Sequence, residues 1–105
     1  MTAADTLLQQ AAAHLDAAAD LADAGHTAHG HALAGQIRLN RAGILPDLLA
    51  GDTPTGPDTV TGRLRAALAC LDAIDPLDGP PELPLWAWHL AELARHEATN
   101  QGGRR

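Results

Sequence analysis

Hydrophobic residues recur along the chain at the three-and-four spacing of amphipathic helices, in four stretches separated by glycine- and proline-bearing connections. The first stretch lines up Leu8, Ala11, Leu15, Ala18 and Ala22, widened by Leu7, Ala12, Ala19 and Leu21. Gln9, Asp16, Asp20 and Asp23 fall on the opposite side. Thr2-x-x-Asp5 fits a capping box and Gly25 suits the position just past the last turn, which predicts a helix roughly 33 Å long.

Thr27 is the expected cap of a second helix whose stripe is Gly30, Leu33, Ile37 and Asn40 and which ends before Gly43. Pro46 opens a short extra helical turn within residues 44–50, and residues 52–57 have the composition of a loop. Asp58 is the expected cap of a third helix carrying Val60, Leu64, Ala67, Leu71 and Ile74, stopped by Pro76. Pro84 starts a fourth, with Trp86, Leu90 and Leu93 inward and Arg95 and His96 in its last turn. The expected fold is an all-α, up-down-up-down four-helix bundle with a short extra helical turn after the second helix. It forms one domain over residues 1–99, followed by a disordered tail at 100–105.

Composition removes the β alternatives. Of 105 residues, 23 are alanine and 17 leucine, against one valine, three isoleucines and no phenylalanine or tyrosine. Pleated faces need the branched and aromatic side chains that this chain lacks. Alanine, glycine, arginine and proline together number 47 and Phe, Tyr, Ile, Asn and Lys only 5, the skew of a GC-rich bacterial genome. Seven arginines, no lysine and thirteen carboxylates give a net charge of −6, which argues against nucleic acid or anionic membrane as the main partner. The lone Cys70 forms no internal disulfide and points to a reducing compartment. No apolar run reaches the roughly eighteen residues of a membrane span, and Met1-Thr2-Ala3-Ala4-Asp5 lacks a signal peptide's basic start. A cytoplasmic location is expected.

Candidate chemistry is sparse. His26, His29 and His31 crowd the first helical hairpin, with Asp20 and Asp23 just before them. Imidazole and carboxylate are the ligand set of a divalent metal such as Zn, Ni or Cu. In a simple bundle this end would also meet Cys70, Trp86, Trp88 and His89. The candidate metal or ligand set is Asp23, His26, His29, His31 and His89; the plainer alternative is a group of solvated turn histidines. His89, Glu92 and His96 share an edge of the fourth helix, but three glutamates in the whole chain are too few for a di-iron site. Asn40 falls on the core stripe, where a buried amide can set register, or at a frayed end, where it bonds to water. His14 lies at the border of the core.

Arg63 and Arg65 sit in the first turns of the third helix against its dipole, so they pair with a nearby carboxylate or contact an anion. Cys70, beside Ala67 and Ile74, fits a packed thiol; a Cys70–His catalytic pair has no motif behind it. There is no phosphate-binding loop, nucleophile elbow or H-E-x-x-H.

Trp86 and Trp88 are two apart, hence about 200° around a helix, and cannot share one core. Leu85, Trp88, Ala91 and Arg95 therefore form a candidate partner-binding face, since tryptophan and arginine are enriched at binding hot spots. The reading that follows is a small acidic, non-catalytic protein acting by self-association as a homodimer or by binding a partner protein, with no cofactor. The alternatives are a metal- or ligand-binding bundle using residues 26–31, and a small enzyme using Cys70 or a histidine.

Overall fold

The computed structural model describes residues 3–44 and 55–102. It contains four helices, α1 (Ala3–Ala24), α2 (Ala28–Ile44), α3 (Val60–Asp72) and α4 (Leu83–Gly102), and no strand among the described residues. Thr2 and the extra turn expected after α2 lie outside the described residues. α4 runs to Gly102, into the segment expected to be tail.

Local chemistry accounts for most helix ends. The Thr27 hydroxyl accepts from the Gly30 amide at 2.9 Å, as its position predicts. At α3 the cap is Thr59 rather than Asp58: its Oγ1 accepts from Gly62 N at 3.0 Å. α1 ends at Ala24, directly before Gly25 as the pattern predicts, but the left-handed residue is His26, φ 52°, with its N–H donating to Asp23 O at 3.0 Å. α3 stops at Asp72, where the Ala73 N–H donates back to Ala69 O, ahead of Pro76.

The core joins all four helices. Leu15, Ile37, Leu64, Leu71 and Leu90 are its large, fully buried side chains, and alanines of α1, α2, α3 and α4 fill the space between them. α1 is buried continuously from Ala11 to Leu15 because it packs on α2 along one flank and on α3 along the other. α3 and α4 form a second hairpin, and α4 touches α2 only along a narrow seam. α2 and α3, consecutive in the chain, do not pack together.

Direction follows from residue pairs. Arg41 reaches Asp16, Arg38 reaches Asp20, and Gly30 abuts Ala22, so α1 and α2 are antiparallel. His29, at the start of α2, pairs with Glu97, near the end of α4. The start of α3 is at that same end, because α3 and α4 are joined by a short connection and run antiparallel. α2 and α3 therefore point the same way on opposite sides of the bundle. The alternating arrangement of consecutive neighbours expected from short links does not describe these contacts. Residues 45–59 are long enough to join two helices that are not neighbours.

Candidate functional site

On α4 the two tryptophans part as the helical angle requires. Trp86 packs partly buried against the core, while Trp88 is 59% exposed and Leu85 55% exposed. Ala91 and Arg95 are exposed as well, so the four residues expected on one face all reach the surface. The Trp88 indole meets the His89 ring edge-on, centroids 5.2 Å apart, which settles the indole on the helix surface. Arg95 forms an ion pair with Glu92, one turn back. Beside this face, between α3 and α4, runs a shallow groove of about 390 Å³. Its floor is Leu68, Ala94 and Ala98, and Arg65 and Arg95 stand on its rim. Because Trp86 is only partly buried, Trp86→Ala should cost about 2 kcal/mol of stability, less than the loss of a fully buried indole. A shift in the urea midpoint measures it.

The histidines of the first hairpin are dispersed among carboxylates. His31 Nδ1 donates to Asp23 Oδ1 at 2.8 Å, and Arg38 Nη1 donates to the other oxygen of Asp23 at 2.6 Å. The hydrogen bond from His31, followed by that from Arg38, holds the Asp23 carboxyl below its ordinary range. His29 Nε2 donates to Glu97 Oε2 at 2.9 Å, across to α4. His26 faces His31 edge-on, 6.4 Å between ring centroids. His89 is elsewhere, beside Trp88. The hairpin meets the last turns of α4 rather than its first, because α2 and α3 run the same way. Among the described residues, no three His, Cys, Asp or Glu side chains are grouped so as to hold a metal ion.

The sequence pattern did not single out Glu97. It is buried, on the line of Leu90 and Ala94, and that spacing was its available signal. With His29, Leu33, Gln36, Leu93 and His96 it lines a hollow of about 260 Å³ between α2 and α4.

Arg63 turns inward. It is buried, and its Nη1 donates to His14 Nδ1 at 3.0 Å, tying α3 to α1. Guanidinium has no acceptor, so Nδ1 of His14 must carry its lone pair and the ring is neutral with its proton on Nε2. Burial, then the adjacent Arg63 charge, lowers the His14 pKa from its ordinary 6.5. Gly56 lies against both side chains: a Cβ there would stand 2.8 Å from Arg63 Nη1 and 3.2 Å from His14 Cε1. Since the folded state binds this proton less readily than the unfolded chain, His14 contributes stability that is complete above pH 6.5. That contribution is lost as pH falls below 6.5 toward the lowered folded-state value. His14→Gln retains an acceptor for Arg63 without titrating. Urea midpoints between pH 7 and pH 5 should therefore fall less steeply in the variant than in the wild type; equal slopes would refute the linkage.

Asn40 is part-exposed, its amide donating to the Gln36 carbonyl at 3.0 Å, so it sets no register in the core. Cys70 is free and partly buried, and burial pushes its thiol pKa up, the opposite of nucleophile activation. Arg65 is exposed at the α3–α4 groove. No helix among the described residues is long and apolar enough to cross a membrane. Compared with known proteins, the chain matches no family model, no curated protein and no solved structure.

Proposed function

We propose that this chain is a non-catalytic helical bundle that works by binding protein through the outer face of α4. The observation that carries the reading is Trp88, 59% exposed on a well-formed helix beside an equally exposed Leu85, while Trp86 serves the core. Exposed tryptophan costs solvation that a partner's surface recovers, and an indole with arginine beside it is the usual composition of a binding hot spot. The raised thiol pKa of Cys70 gives no support to a cysteine nucleophile. A reducing cytoplasm suits the single free thiol.

Association measured by sedimentation, for the protein alone and mixed with the products of adjacent genes, tests the reading. Trp88→Ala should weaken association on the order of thirtyfold, with helix content by circular dichroism unchanged. Equal association of wild type and Trp88→Ala would refute it.

A second reading, small-ligand binding at the hairpin end, is favoured by the hollow between α2 and α4 with His29, His96 and Glu97 on its walls. Titration with small carboxylic acids should then perturb the His29 and His96 ring resonances. Unchanged spectra, together with an unchanged melting temperature, would remove that reading.

A further inference from the structure

We infer that the partner of the α4 face is a second copy of this chain, docked so that Trp88 of each copy enters the α3–α4 groove of the other. The inference rests on the protein-binding reading and gives that face its occupant. The register of α4 is self-complementary. Two α4 helices packed antiparallel about a twofold axis between residues 91 and 92 set position 88 opposite position 95 and position 85 opposite position 98. Position 88 holds the exposed indole, and position 95 stands on the rim of the groove, beside its floor at Ala94 and Ala98. At the axis, Ala91 lets the two helices approach closely. A twofold contact of this kind uses one surface twice, as isologous dimers do.

Charge favours the same occupant. The chain carries −6 overall, so copies repel at most orientations. The α4 face and its groove carry Arg65, Arg95 and Glu92, a local excess of one positive charge. This is a surface on which two acidic copies can meet, and each indole there lies against a rim guanidinium, an attractive pairing for an electron-rich ring. The area is sufficient. α4 spans 20 residues, roughly 30 Å, and with α3 beside it offers about 600 Å² per copy. The total of about 1,200 Å² reaches the lower end of stable interfaces.

The test uses the full chain. Light scattering should show a dimer at high micromolar concentration for the wild type. Trp88→Arg opposes arginine to arginine across the twofold and should give a monomer with unchanged helix content. Adding Arg95→Trp to Trp88→Arg exchanges the two partners and should restore the dimer to within about tenfold of wild-type affinity. In a Cys70→Ser background, a short bis-maleimide should link Ala91→Cys chains efficiently. Leu77→Cys chains, with the cysteine far from the axis, should remain mostly unlinked. A wild type that is monomeric, a double variant no better than Trp88→Arg, or linking favoured at position 77 would each overturn the arrangement. If the wild type is monomeric yet Trp88→Ala weakens binding to an adjacent gene's product, the second copy is wrong and the protein-binding face stands. If neither self-association nor partner binding responds to Trp88, both fail.

Discussion

Leu64→Ala should destabilise the protein by about 3–5 kcal/mol, a large share of the roughly 5–15 kcal/mol that holds a domain of this size together. Leu64 has no exposed surface and lies in the cluster that joins α3 to α1 and α4. Part of the cost is the transfer term for the lost methyl and methylene groups. The larger uncertainty in such substitutions is how far neighbours can move into the cavity. Here the neighbours in the core include many alanines, and an alanine has no rotamer with which to fill a gap. The cavity stays open, and the loss falls in the upper part of the usual range. Urea unfolding should show a lower midpoint with an unchanged slope. Leu39→Ala is the control: Leu39 is 76% exposed, and its truncation should change stability by no more than about 0.5 kcal/mol. Equal losses for the two leucines would mean that the core is not where the structure puts it.

Gly30→Ala and Gly35→Ala should move stability in opposite directions, although both place the same methyl on the same helix. At Gly30 a Cβ would stand 2.4 Å from the carbonyl oxygen of Ala22 and 2.9 Å from Thr27 Oγ1. The first obstacle is backbone and cannot swing aside. The second is the hydroxyl that caps α2, so relieving the clash also disturbs the cap. Overpacking of about 1–3 kcal/mol and a cap worth about 1 kcal/mol outweigh the gain of about 1 kcal/mol in helix propensity. The net loss is about 1–3 kcal/mol. At Gly35 a Cβ meets nothing within 4 Å, so the propensity gain stands alone and the variant should be more stable by about 0.5–1 kcal/mol. Thermal or urea midpoints of the two variants check the sign directly. A stabilised Gly30→Ala would mean that α1 and α2 are not in the close contact described.

The helices were legible in the sequence because each carries an uninterrupted three-and-four stripe between cap residues. Val60 to Ile74 is an example, with Leu64, Ala67, Leu71 and Ile74 all buried. The separation of Trp86 from Trp88 was legible too, since it depends only on the helical angle. What periodicity does not contain is the identity of the neighbour. A stripe of leucine and alanine fits any other such stripe, and in an alanine-rich chain the faces are nearly interchangeable. The placement of α1 between α2 and α3 was therefore hidden, although the unbroken Ala11-Ala12-Ala13 hinted at a helix covered on several sides. His29–Glu97 and His14–Arg63 were hidden for the same reason: each bridges helices whose adjacency had to be known first. The cap of α3 differs because Asp58 and Thr59 both qualify, and only backbone geometry chooses between them.

The one-sided attachment of α2 has a consequence for motion. This helix leans on α1 and touches α4 along a thin seam, and its buried contribution is Gly30, Leu33, Ala34, Ile37 and Ile44. α1, held on two flanks, buries twice as many residues, ten against five. Detaching α2 exposes less apolar surface than detaching any partner of the α1–α3 contact, so it has the lower free energy of opening. In native-state hydrogen exchange the amides of α2 should form their own cooperative group, exchanging ahead of those of α1 and α3 and at a denaturant dependence smaller than that of global unfolding. The central pair α1–α3 then acts as the nucleus, with α2 and α4 each attached to one side of it, and the His29–Glu97 bridge links the two outer helices.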